Sequence, residues 1–340
     1  MKQAKITKRL LFVLLAISWV FISLTAGYAE DAREFYNNKV LEIYCPYGVG
    51  GGFDVYARSL AQHISRFLPI KTAIVKNIKG AGGMTGTNSL YVAPTDGLTI
   101  GIINGGGMIF NQVMETPGVK YDLGKIEWLG RSDAEPHIIA VGKKSPFRSI
   151  KDLMEANRTV VFSATGKGSD DFLAAAVIAD ALGFKLRQVV GFGGTSETNL
   201  VVVKGDVDGT QSTVGSLLNL IDSGDVIPIL QVALERDPRF KDVPLAIEIA
   251  PPDKKDIMTA ITNTFEFGRA FCTPPGVSAD RVKLLREAVW GVFSDKDIIQ
   301  ELEKRGRPVN AMKGEQMTAL MQTCMTAAEK IKPVLKEAAK

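Results

Sequence analysis

Four stretches of this 340-residue chain are built for one kind of chemistry, the holding of an anion by backbone amides. The most pronounced, IYCPYGVGGGFDVYARSL from Ile43 to Leu60, runs from a short apolar strand through Gly50, Gly51 and Gly52 into a helix. Glycines allow a tight turn and a close approach of the main chain to a ligand, and the first N–H groups of the following helix have no partner within it. A carboxylate or phosphate would be held there by N–H dipoles, with no lysine needed. The same order of strand, glycines and helix recurs at NIKGAGGMTG (Asn77 to Gly86, with Gly80, Gly82 and Gly83), at INGGGMIFN (Ile103 to Asn111) and at VGFGGTSETN (Val190 to Asn199, with Gly193 and Gly194). One such turn is ordinary; four in one chain predict a composed binding cleft.

Groups that would turn binding into catalysis are scarce. The two histidines, His63 and His137, lie far from any serine or cysteine nucleophile motif, and there is no Gly-x-Ser-x-Gly, no paired histidines at metal spacing and no Walker sequence. GVGGGFD has the wrong glycine spacing for a dinucleotide loop and lacks the acidic residue expected about 20 positions on. Neither an enzyme nor a cofactor is expected, and no metal site.

The amino terminus has the pattern of a cleavable export signal. Lys2, Lys5, Lys8 and Arg9 precede an apolar run from Leu10 to about Leu24, and small residues at Gly27 and Ala29 place cleavage after Ala29. The apolar run is short for a membrane span, which needs about 20 residues. The whole chain carries 41 basic and 37 acidic residues; removing four basic ones with residues 1–29 leaves 37 against 37. A neutral chain without a basic stripe excludes nucleic acid as a partner. Three scattered cysteines, Cys45, Cys272 and Cys324, make neither a disulfide framework nor a zinc site. Cys45 and Cys272 could pair if their strands are neighbours, with buried free thiols the favoured reading.

The elements that must position the glycine loops alternate strand and helix, which predicts α/β architecture with mostly parallel sheets. Strands are expected at 40–45, 72–76, 98–103, 137–141, 159–163, 187–190, 227–232 and 266–273. From Asp54 to Leu68 the residues Ala57, Leu60, Ala61, Ile64 and Leu68 share one face, so this helix packs on a sheet. Asp171 to Leu182 repeats the pattern with Gly183 as its stop, and 279–293 and the last thirty residues read as further helices. PPDKKD, from Pro251 to Asp256, reads as a surface loop. Roughly 310 mature residues suggest two domains. Pro136 between two apolar runs and the double proline of FGRAFCTPPGV (Phe267 to Val277) look like crossings between them. Two crossings predict interleaved lobes, 30–135 with 268–340 and 136–267, with a cleft between.

CPYGVGGGFDVYAR resembles the first signature of the periplasmic substrate-binding receptors of tripartite tricarboxylate transporters, the Bug or TctC family. Further resemblance follows in order through NIKGAGGMTGTNSLYVAPTDGLTIGI, ATGKGSDDFLAAAVIADALG, VGFGGTSETNLVVVKGDVDG, LERDPRFKDVPLAIE and CTPPGVSADRV, covering nearly the whole mature chain. The resemblance implies a monomeric two-lobed receptor of the Venus-flytrap type. It would capture a small di- or tricarboxylate or aromatic acid in the periplasm and deliver it to a membrane permease. A sensory protein reporting a carboxylate to a membrane kinase is the alternative.

Carried over residue by residue, the resemblance implies a cleft floor of Tyr47, Gly50, Gly51, Gly52, Phe53 and Asp54, with Gly82, Gly83 and Asn104 from the same lobe. The other lobe would contribute Thr165, Gly168, Ser169, Gly193, Gly194 and Thr195, with Asp208 marking an edge beside Thr210 and Ser212. Asp54 near a helix start also reads as a first-turn acid. Two positions depart from the family pattern. Phe53 replaces a threonine, and Asp170, Asp171 and Phe172 stand where proline, serine and histidine are common. The two acids read either as helix-start residues or as acceptors for a ligand hydroxyl or amine.

Overall fold

The computed structural model describes residues 31–134 and 136–338; the expected export signal lies outside the described residues. Following the chain, β1 (Val40–Cys45), β2 (Thr72–Asn77), β3 (Thr99–Asn104) and β4 (Glu127–Arg131) enter a first sheet. A second sheet then collects β5 (His137–Gly142), β6 (Val160–Ser163), β7 (Leu186–Val189), β8 (Gly209–Thr213) and β9 (Val226–Val232). The chain returns to the first with β10 (Arg269–Thr273) and the short β11 (Met312–Lys313). We call the regions built on these sheets the first and second lobe. The strand orders are β11-β4-β10-β3-β1-β2 and β7-β6-β8-β5-β9.

Both sheets are mixed, which corrects the expectation of mostly parallel pairing. β1 runs parallel to β2 and β3, and β6 parallel to β7 and β8, because helices cross between them. β10 is antiparallel to β3 and β4, and β5 to β8 and β9. The strands next to the chain's two passages between sheets, β4 with β10 and β5 with β9, therefore supply the antiparallel pairs. The short β4, β8 and β11 lack an apolar alternation strong enough to be read locally.

Helices α1 (Gly52–His63), α2 (Met84–Tyr91), α3 (Gly105–Met114), α4 (Asp170–Leu182) and α5 (Thr195–Lys204) each follow a glycine-containing loop or begin on glycines. On α1, Ala57 and Leu60 are fully buried beside Ile43 of β1, as the periodicity predicts. Gly183 ends α4 in the left-handed conformation at φ +79°. PPDKKD is not a loop: it leads through a short 3₁₀ turn into α6 (Lys255–Phe265), whose Met258, Ile261 and Phe265 are buried. Farther on, α7 (Ala279–Ser294) packs on the first lobe, while α8 (Gly314–Lys330) meets α3 and α6. One apolar cluster joins the lobes on this side, running from Ile103, Met108 and Phe110 through Leu173 and Val177 to Ile261 and Met317.

The three cysteines are free and buried. β3 lies between β1 and β10, so Cys45 and Cys272 sit on strands two spacings, about 10 Å, apart, too far for a disulfide. Burial pushes the Cys45 and Cys324 thiols up to about 12. A thiol reagent at pH 8 should therefore find no reactive cysteine in the folded protein and three after denaturation. Rapid labelling of the native chain would contradict this packing.

Candidate functional site

A narrow cavity lies between the lobes, at the carboxyl ends of β1 and β3 on one side and beside β6 and β8 on the other. From the first lobe it is lined by Tyr47, Gly51, Gly52, Phe53, Asn104 and Arg269. From the second come His137, Thr165, Asp170, Asp171, Thr195, Ser212 and Thr213. Most of these side chains are held by hydrogen bonds, so the lining is preorganised.

The glycine loops do face one another here. The N–H of Gly52, at the start of α1, points at the hydroxyl of Thr195, the first residue of α5, 3.4 Å away. Next to them the N–H of Gly48 donates to the carbonyl of Gly193 at 2.6 Å. Two helix N-termini thus converge on the cleft from opposite lobes, as an anion site requires. Gly52 has a second role. A Cβ there would lie 2.5 Å from Arg269 Nη2, so glycine leaves the space that the guanidinium fills.

Arg269 opens β10 and is only 1% exposed. Its Nη2 donates across the cleft to Thr213 Oγ1 at 3.0 Å, and its Nη1 lies 3.7 Å from Asp133 Oδ2. The guanidinium sits over the rings of Phe53 at 5.1 Å and Tyr56 at 4.8 Å, each a favourable cation–π contact. Phe53, where the resemblance leads one to look for a hydroxyl, is therefore one of two aromatic supports for a buried cation.

Asn104 ties the lobes together. Its Oδ1 caps α3 by accepting from the Gly107 N–H at 2.9 Å. Its Nδ2 donates to Tyr47 Oη at 2.8 Å and to Asp170 Oδ1 at 2.7 Å. Tyr47 Oη in turn donates to the carbonyl of Gly82 at 2.9 Å.

The two acids of α4 differ. Asp171 accepts from the Thr165 N–H at 2.8 Å, Thr165 Oγ1 at 3.0 Å, the Phe172 N–H at 2.9 Å and the Ser169 hydroxyl. Burial, with the neighbouring Asp170 charge, still pushes its carboxyl up to about 6. For Asp170 burial acts in the same sense, but His137 and the hydrogen bonds from Asn104 and the Asp171 N–H outweigh it and hold the carboxyl below its ordinary value. His137 Nε2 is 3.4 Å from Asp170 Oδ2, and its ring stacks on Phe265 at 3.8 Å. No serine or cysteine is hydrogen-bonded to His137 among the described residues, so there is no nucleophile and base pair.

The raised carboxyl of Asp171 gives a sign to its pH dependence. A group raised from 3.8 to about 6 favours the folded state when protonated, so its contribution is fully present below about pH 3.8 and is lost as the pH rises through about 6. Thermal unfolding of the unaltered chain and of Asp171→Asn between pH 4 and pH 7 should diverge accordingly. The unaltered chain should lose ground to the variant as the pH rises; parallel curves would refute the assignment.

The residues expected from sequence separate into three places. Tyr47, Gly51, Gly52, Phe53, Asn104, Thr165 and Thr195 line the central cavity, and Gly82, Gly83 and Gly193 line an adjoining space at its mouth with Tyr47 and Lys79. Gly50, Asp54, Gly168, Ser169, Gly194 and Asp208 do not line the central cavity. Asp54 accepts instead from the Gly50 N–H at 2.9 Å, Arg58 Nε at 2.8 Å and Asn77 Nδ2 at 2.8 Å, bracing the loop as a first-turn acid. Asp208 is clamped by both terminal nitrogens of Arg158, at 2.8 and 2.6 Å, and by the Val161 N–H at 2.8 Å. Its place at the head of β8 serves the sheet, and Ser212 and Thr213 at the strand's other end reach the cavity. Sequence reasoning did not select Arg269, His137 or Thr213. The one available signal was a charged residue leading an otherwise apolar strand, RAFCT.

Residues 56–339 match the family model described as tripartite tricarboxylate transporter family receptor. The chain is 26% identical over 269 residues to the UPF0065 protein in the tcbD-tcbE intergenic region of Pseudomonas sp. strain P51, covering 77% of this chain and 76% of that one. Among solved structures it resembles the periplasmic binding protein BugD, with TM-score 0.75, 24% identity, and coverage of 88% of this chain and 98% of that one. It also resembles MatC from Rhodopseudomonas palustris with bound malate, with TM-score 0.73, 21% identity, and coverage of 86% and 99%. The fold is that of the two-lobed periplasmic binding proteins, and the family is one of solute receptors, not of catalysts. With the family model matched over most of its length, the chain belongs to the receptors of the tripartite tricarboxylate transporter family.

Proposed function

We propose that this chain is an extracytoplasmic receptor that captures a small carboxylate between its lobes, 30–135 with 268–340 and 136–267, and hands it to a membrane permease. The observation that carries the reading is the convergence of two helix N-termini, at Gly52 and Thr195, on a cavity that also holds the buried guanidinium of Arg269. Backbone dipoles and one fixed cation suit a carboxylate, and the malate bound to MatC is consistent with that chemistry. Tyr47, Gly51, Gly52, Phe53, Asn104, Thr165 and Thr195 are the residues we assign to the ligand. We assign Gly82, Gly83 and Gly193 to the mouth.

A thermal-shift panel of carboxylates, sugars and nucleotides tests this. A ligand present at a hundred times its dissociation constant adds about 2.7 kcal/mol, enough to raise Tm by several degrees. Carboxylates alone are expected to do so; a shift with sugars or nucleotides and none with carboxylates would sink the proposal.

A further inference from the structure

The charges lining the cavity do not match a ligand that is wholly anionic. One guanidinium, Arg269, faces two carboxylates, Asp170 and Asp171, all at least nine-tenths buried. Asp171 is consumed by its four donors in the loop before α4 and within the helix start. Asp170 is not. Its Oδ1 accepts from Asn104 and from the Asp171 N–H, whereas Oδ2 has, among the described residues, His137 Nε2 at 3.4 Å. A carboxylate oxygen accepts two hydrogen bonds, so Oδ2 keeps acceptor capacity on a residue that lines the cavity.

His137 does not use up that capacity. Its Nε2, 3.4 Å away, has no hydrogen-bond partner among the described residues, and its Nδ1 faces the Gln211 side-chain amide at 3.2 Å. A second, independent feature points to a ligand here. Ser212 lines the cavity and is 3% exposed, and its Oγ has no hydrogen-bond partner among the described residues. A buried hydroxyl without a partner is costly unless a ligand satisfies it.

We propose that the ligand is a zwitterion, a carboxylic acid that also bears an ammonium group, with the carboxylate directed to Arg269 and the helix starts and the ammonium donating to Asp170. The inference rests on the carboxylate reading and narrows it. A dicarboxylate would place a second negative charge beside the carboxylates of Asp170 and Asp171, whereas a ligand of zero net charge pairs each of its ends with a fixed group of opposite sign. Asp170 then acts as the specificity-determining residue, held in register by Asn104 from the opposite lobe.

The test is calorimetry on the exported protein with acids matched in pairs that differ in the amine: alanine with propionate, aspartate with succinate, glutamate with glutarate, and phenylalanine with 3-phenylpropionate. In at least one pair the amino member should bind at least about 100-fold more tightly, because a site built to pair a donor rejects the analogue lacking it. Asp170→Asn should reduce that ratio at least about tenfold. If the amine-free acid binds as well or better in every pair that binds, the zwitterion inference fails and the carboxylate reading stands. If no member of any pair binds, both fail together. The comparison within pairs on the unaltered protein decides the question even if the variant does not fold.

Discussion

Arg269→Met should lower the stability of the protein by about 3 kcal/mol, because it removes a buried guanidinium 3.7 Å from the buried carboxylate of Asp133 and breaks that pair. The loss includes two cation–π contacts, to Phe53 and Tyr56, and the hydrogen bond to Thr213 on the opposite lobe. The double variant Arg269→Met with Asp133→Asn should recover at least half of the loss, since the broken ion pair, not the missing methylene contacts, dominates. Denaturant unfolding of the three proteins measures this directly. A single variant as stable as the parent, or a double variant no better than the single, would show that Asp133 and Arg269 are not energetically coupled. Affinity for any carboxylate should fall in both variants, since the guanidinium is the fixed cation of the cavity.

The second large effect is at the mouth of the cleft. Gly82 has φ +64°, and a Cβ built on it would lie 2.4 Å from the Ser169 nitrogen and 2.7 Å from the Gly168 carbonyl carbon, both main-chain atoms of the other lobe. Neither side can yield by turning a side chain, so Gly82→Ala should hold the lobes apart. Opening there strains the contacts that close the cleft, among them Asn104 to Asp170 and Gly48 to Gly193. A charged and a neutral hydrogen bond together represent roughly 2–4 kcal/mol, so ligand affinity should fall on the order of 100-fold. The left-handed backbone adds about 1–2 kcal/mol of destabilisation in the folded state. Solution scattering should then show that ligand no longer compacts the variant. A Gly82→Ala protein that binds and compacts like the parent would mean that the two loops do not meet in the bound state.

The class of the fold and the chemistry of half the site are written along the chain. Strand, glycines and helix start are neighbours in sequence, so the loops at Gly50 to Gly52 and Gly193 to Thr195 were legible from local pattern, as was the face of α1 that packs on β1. Which of those glycines touch the cavity, how the strands pair, and which charged groups complete the site emerged only from the folded arrangement. Strand direction near the crossings depends on where the chain re-enters a sheet, and no local periodicity encodes that. Arg269, His137 and Asp170 come from β10, β5 and the start of α4, separated by more than thirty residues in each case. Each alone looks like a residue at the end of a strand or helix. Their meaning arises when antiparallel pairing sets Arg269 opposite Asn104, and Asn104 reaches Asp170 across the cleft. Burial then does the rest, because charges that water would screen in an open chain must find partners once the two lobes exclude it.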